Sequence, residues 1–123
     1  QWFFTFREGE QMRKLYVVQH QYDFDRIIKQ GYKKKNDCFI IYYSNNNLPY
    51  ARYGVSVGKK LGHAVYRNKK KRQIRSIIDN LEKSYVKKQD YIIILREKGK
   101  YLDYQALNQK LKSLIEERTR NEK

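Results

Sequence analysis

Asn68, Lys71, Arg72 and Arg75 stand at relative positions 0, 3, 4 and 7 within a run, VYRNKKKRQIR (65–75), that carries six positive charges and no acid. On a helix turning 100° per residue, that spacing gathers all four side chains on one face. Cations donate to phosphate oxygens, and an asparagine both donates and accepts, so it can read a base edge or a ribose 2′-hydroxyl among them. Such a face binds a polyanion and needs no nucleophile or general base. A solvated helix surface is the plainer alternative, but it normally mixes its charges. From Lys59 to Arg75 there are eight basic residues among seventeen and no acid, so no i to i+4 ion pair relieves the repulsion. Nucleic-acid contact is the favoured reading. If all eight side chains neutralised phosphates, the logarithm of affinity would fall with that of salt at a slope of roughly 6 to 7.

The whole chain agrees with its most basic segment. It has 28 Lys and Arg against 13 Asp and Glu, a formal charge of +15 over 123 residues, which favours nucleic acid or an anionic membrane as partner. No run approaches the roughly 18 apolar residues of a membrane span, and no signal pattern opens the chain, so a cytoplasmic protein without a membrane partner is expected. Forty per cent hydrophobic residues, with twelve Tyr and five Phe, can build the core of one domain. Cys38, the one cysteine, excludes an internal disulfide and lies in the apolar run CFIIYY, where a buried thiol is expected. Residues 1–11, with the aromatic cluster Trp2, Phe3, Phe4 and Phe6, precede the single methionine, Met12. They are expected to be a non-native or extended segment ahead of one nucleic-acid-binding domain over 12–123.

The elements that position the cations follow from periodicity. Phe24, Ile27 and Ile28 predict a short helix from about His20 to Gln30, with Gly31 where a left-handed C-terminal cap would sit. KKKND leads into the strand CFIIYYS, and the turn cluster NNNLP separates this from RYGVSVG, which predicts two neighbouring antiparallel strands. After the loop GKKLGH, a long helix is expected from about Ala64 to Lys87 or Lys88, burying Ile74, Ile77, Ile78 and Leu81. DYIIILR reads as a compact buried strand, and Asp103 as the cap of a last helix with Tyr104, Leu107, Leu111, Leu114 and Ile115 on one face. The fold class is α+β, a small sandwich in helix-strands-helix-strand-helix order. Along the first strand Cys38, Ile40 and Tyr42 share one face, and Phe39, Ile41 and Tyr43 the other. One face must be core. The other, with Phe24, can line a cleft for unpaired RNA bases, unless all these rings are simply packed.

SVGKKLGHAVYRNKKKRQIR resembles the signature SVxKKxGxAVxRNxxKRxxR of the bacterial ribonuclease P protein subunit, and the likeness extends through DFDRIIKQG, CFIIYY, YGVSV and DYIIIL. The resemblance implies a noncatalytic protein that partners a catalytic RNA, which removes 5′ leaders from precursor tRNA using Mg2+ held mainly by RNA and substrate. It implies that Arg67, Asn68, Lys70, Lys71, Arg72 and Arg75 contact the catalytic RNA, with Lys59 and Lys60 extending the surface. Phe24, Ile28, Ile40 and Tyr42 would line the leader cleft, with Arg13 and Lys14 near its rim. A left-handed β-α-β crossover around the basic helix is also implied, against the usual right-handed rule. Two positions depart from the family pattern. Ile28 stands where a cleft phenylalanine is common, and His63 replaces an asparagine, to meet phosphate or to pack the loop. Scattered Asp79, Asp90 and Asp103 form no protein metal site, and no obligate protein partner is evident. The alternatives are a ribosomal or architectural RNA binder and, less favoured, a protein nuclease built on His20 and His63.

Overall fold

The computed structural model describes residues 18, 20–46, 48–81 and 89–121. The chain runs α1 (Gln21–Gln30), β1 (Tyr32–Lys35), β2 (Phe39–Asn45), β3 (Arg52–Ser56), α2 (Ala64–Asp79), β4 (Gln89–Leu95) and α3 (Tyr104–Asn121). Short 3-10 turns at Lys59–Leu61 and Glu97–Gly99 precede α2 and α3. The strands form one sheet in the order β1-β2-β4-β3, antiparallel except for the β3–β4 pair. This is the α+β class expected, with α2 as the crossover between the two parallel strands.

β2 and β3 are not the neighbours that their adjacency in sequence predicts, because β4 lies between them. The reason is hydrophobic. β4 is apolar on both faces, and the interior of the sheet is where helices can cover it from both sides while β2 and β3 pair with its two edges. β1 was not signalled at all, since YKKK lacks apolar alternation. As an edge strand with solvent beside it, it tolerates lysine at three consecutive positions. α2 ends at Asp79, capped by Asn80, short of the expected Lys87 or Lys88, and residues 82–88 lie outside the described residues. Asp103 does cap α3, its Oδ1 accepting from the Ala106 amide at 2.9 Å.

Side-chain alternation divides the core between the two faces of the sheet. Phe39, Ile41, Tyr43, Tyr91, Ile93, Leu95 and Val55 pack with Ile74, Ile77, Ile78 and Leu81, and with Leu107, Leu111, Leu114 and Ile115 of α3. The stripe expected on the long helix is thus buried as a unit. On the opposite face, Val18, Ile27 and Ile92 form a small cluster under α1, with Phe24, Tyr42 and Ile94 half-buried against it. Cys38 is buried as expected; burial, and next the neighbouring Asp37 charge, raises its pKa and keeps it a thiol.

Close approach, not a left-handed turn, requires glycine at the end of α1. Gly31 has φ −85° and ψ 176°, an extended conformation. A Cβ there would lie 2.5 Å from both the Ile27 and the Tyr43 carbonyl oxygens. Gly54 serves similarly, since a Cβ would meet Phe24 at 2.6 Å and Ile92 at 2.9 Å. It lets the Phe24 ring lie directly on the sheet.

α1 is also tied down by charge. The Asp90 carboxylate is 0% exposed. It accepts from Arg52 at 2.9 and 2.7 Å, from Asn46 at 2.8 Å and from Arg26 of α1 at 3.3 Å. Burial alone would raise its pKa, but the hydrogen bonds from Arg52, Asn46 and Arg26 outweigh it and leave the pKa below the ordinary 3.8. A depressed folded pKa means that the stabilisation is complete above the unfolded value and disappears as pH falls through the folded one. Asp90→Ala should therefore lose about 3 to 5 kcal/mol at neutral pH. In urea melts from pH 7 to pH 2, its deficit relative to wild type should shrink only below about pH 4.

Candidate nucleic-acid interface

α2 begins at Ala64, after a glycine that its own first turn demands. A Cβ on Gly62 would stand 2.6 Å from the Tyr66 ring, and the Gly62 carbonyl accepts from Arg67 Nε at 3.1 Å. His63 occupies the N-cap without a side-chain capping bond, and its imidazole is exposed. Of the residues proposed from sequence to meet RNA, Lys59, Lys60, Asn68 and Arg72 are exposed and Arg67 and Lys71 half-buried. Burial, and next the charges of Arg75 and Arg67, lowers the Lys71 pKa. Among the described residues no acid forms an ion pair with any of the five cations in this group. Their mutual repulsion is met by water or by a polyanion.

Lys70 and Arg75 stand apart from this group. Lys70 is 6% exposed, and its ammonium donates to the Leu102 carbonyl at 2.5 Å, with Nζ 5.8 Å from the centre of the Tyr66 ring. Arg75 is 8% exposed, and burial followed by the charge of Arg72 pushes its pKa down to about 9, so it remains cationic at neutral pH. The wheel explains both positions. Arg75 lies about 60° from the buried Ile78, and Lys70 about 40° from the buried Ile74. The cationic stripe therefore narrows toward its C-terminal end.

A second feature lies on the α1 face of the sheet. Lys33, Tyr42, Ile92 and Gly54 make one row across the four strands, and Lys35, Ile40, Ile94 and Ser56 the next. α1 covers the first row only in part, through Phe24 and Ile27. Ile94 is the single residue of β4 that is not buried, and its neighbours Ile40 and Ser56 are half-buried too. Ile28, one turn beyond Phe24, is 39% exposed. Phe24, Tyr42 and Ile40 are thus brought around one open apolar floor, with Ile28 on the helix above it. Arg13 and Lys14 lie outside the described residues. Sequence reading missed Ile94 and Ser56, which complete the floor, and Lys33, whose ammonium stands 5.9 Å from the Tyr42 ring centre. The strand register, once known, would have found all three.

The family model for ribonuclease P matches residues 12–118. The chain belongs to the ribonuclease P protein family. It is 45% identical to the ribonuclease P protein component of Mycoplasma mycoides subsp. mycoides over 109 residues, which are 86% of this chain and 98% of that protein. The structure of the Staphylococcus aureus RNase P protein superimposes with a TM-score of 0.78 at 36% identity, covering 84% of this chain and 94% of the other. That of the Thermotoga maritima protein gives 0.75 at 30% identity, covering 82% and 96%. The chain is accordingly a subunit of ribonuclease P, the endoribonuclease of tRNA 5′ maturation, and a partner of ribonuclease P RNA. The reading as a ribosomal or architectural binder falls away.

The burial of two cations alters the electrostatics expected for the RNA complex. Of the eight basic residues from Lys59 to Arg75, six remain exposed or half-buried once Lys70 and Arg75 are set aside, and six phosphate contacts would give a salt slope of roughly 4 to 5 in place of 6 to 7. Titration of ribonuclease P RNA at several salt concentrations should resolve this. Arg72→Met should lower the slope by about 0.7 to 0.9.

Proposed function

We propose that the protein uses two separate surfaces for two RNAs. α2 presents Arg67, Asn68, Lys71 and Arg72, with Lys59 and Lys60 ahead of them, to the catalytic RNA. The floor of Phe24, Tyr42, Ile40 and Ile94 holds the single-stranded 5′ leader of precursor tRNA, with Ile28 toward its edge. The observation that carries this reading is the division of the sheet. α2 packs on the face of Ile41 and Ile93, whereas the open floor belongs to the α1 face, so neither RNA needs the other's surface.

The chemistry of each surface suits its proposed partner. Structured RNA offers phosphates at short spacing, and the cations of α2 answer charge with charge. A leader offers unpaired bases, which can lie on Tyr42 and Phe24 while Lys33 and Lys35 stand along the β1 side. Ile28 provides contact without an aromatic plane, so one stack fewer is available. Cleavage itself belongs to the RNA subunit, with Mg2+ on RNA phosphates. Among the described residues no three His, Cys, Asp or Glu side chains are grouped to hold a metal ion, and Asp23 and Asp90 are engaged by Arg26 and Arg52. The protein nuclease built on histidines finds little support, because His20 and His63 cap different helices. The cytoplasm, where precursor tRNA is made, is the proposed location.

Reconstitution at low Mg2+ tests the reading, since added protein should raise 5′-leader removal. Tyr42→Ala should weaken binding of leader-bearing precursor by about 1 to 3 kcal/mol while leaving leaderless tRNA and catalytic-RNA association unchanged. Arg67→Met and Arg72→Met should do the reverse. Equal loss of both bindings in a folded Tyr42→Ala protein would refute the division into two surfaces.

A further inference from the structure

The turn before α3 carries an aromatic ring with no structural employment. Tyr101 is 85% exposed, the most exposed of the large hydrophobic side chains described. Its backbone, by contrast, is held on both sides. The Lys100 carbonyl accepts from the Tyr66 hydroxyl, and the Leu102 carbonyl accepts from the Lys70 ammonium. Tyr66 and Lys70 are i and i+4 on α2, so two consecutive turns of the cationic helix fasten the residues flanking Tyr101. The adjacent stripe of α2, one residue or about 100° further round, is Arg67 and Lys71. The Lys100 ammonium lies 5.2 Å from the centre of the Tyr101 ring.

An exposed tyrosine on a mobile tip would mean little. Here the ring is displayed from an anchored backbone, beside a cationic helix, with a cation of its own. Lys70, buried and spent on this anchoring, is explained by it. An ammonium that gave up water to fix a neighbouring loop contributes position where it does not contribute a phosphate contact.

We propose that Tyr101 and Lys100 form a further contact for the catalytic RNA, in which Tyr101 stacks on an unpaired base and Lys100 meets the adjoining phosphate. This rests on the reading of α2 as the catalytic-RNA surface and extends that surface onto the loop between β4 and α3. Charge selects RNA over a protein partner. The loop adjoins the cationic stretch from Lys59 to Arg72 and itself carries Arg96, Lys98 and Lys100 against Glu97 and Asp103, of which Asp103 is engaged in capping α3. Base stacking needs only one free ring face and is indifferent to base identity, as a solvent-facing tyrosine allows.

The test is a titration of the full chain against ribonuclease P RNA from the same genome, at fixed Mg2+ and over a range of salt. Tyr101→Ala should weaken binding about fivefold or more, with an unchanged salt slope, because a stack and not a phosphate contact is lost. Tyr101→Phe should bind as wild type. Neither should shift the melting temperature or the preference for leader-bearing over leaderless tRNA, which a merely structural role would disturb. Wild-type affinity for Tyr101→Ala would overturn the proposal and leave that ring to a protein partner. Failure of the wild-type chain to bind the RNA would instead overturn the reading of α2, and this proposal with it.

Discussion

A carboxylate sealed from water holds this fold in register. Asp90 sits on the central strand and is reached by Arg52 from β3, Asn46 from the connection after β2, and Arg26 from α1. Burying an anion is unfavourable unless its lone pairs are filled, so the site forms properly only when all these segments are in place. The angle at which α1 crosses the sheet depends on it, and so does the floor that α1 leaves open. Gly54 adds the steric half of the same constraint. With Asp90 drawing Arg26 inward and Gly54 letting Phe24 descend, the helix covers one row of side chains and stops short of the next.

The other face of the molecule works on an opposite principle. There the charges are left unbalanced, and the fold must tolerate them without an internal counterion. α2 does so by burying isoleucines along one side and by turning only two of its cations inward, Lys70 and Arg75. Neither is isolated from polar partners, and both border the buried stripe. The remainder stay in water, where mutual repulsion is weakened by solvent and salt. A chain with a formal charge of +15 is stable in this way because its positive charge is concentrated on surfaces that a nucleic acid can cover.

Much of this was readable before any coordinates. The Ile74, Ile77, Ile78 and Leu81 stripe follows from helical spacing, and so does the separation of Asn68 and Arg72 from it. Asp103 declared itself as a cap. The cysteine in CFIIYY is buried as its apolar surroundings foretold, although it stands just before β2 and packs with Phe39 and Ile41 and not with Ile40 and Tyr42. What sequence could not disclose was set by distant partners. Nothing in YKKK marks a strand until β2 is beside it, and nothing in DYIIIL says which strands flank it. Lys70 looks like any other member of a basic run, and only the Leu102 carbonyl, thirty-two residues away, distinguishes it. Gly31 resembles a helix terminator of the left-handed kind, yet two carbonyl oxygens from separate elements are what exclude a side chain there.

Placing β4 between β2 and β3 also orders events on the ribosome. The strands made earlier cannot complete their ladders until residues 89–95 have emerged, because the gap between them is reserved for that segment. At about 5 to 20 residues per second, the wait from Ser56 to Leu95 lasts roughly 2 to 8 s. During it two unsatisfied strand edges coexist in one nascent chain. The abundance of lysine on β1 and around the crossover then has a second use, since like charges on neighbouring polypeptides discourage their open edges from joining.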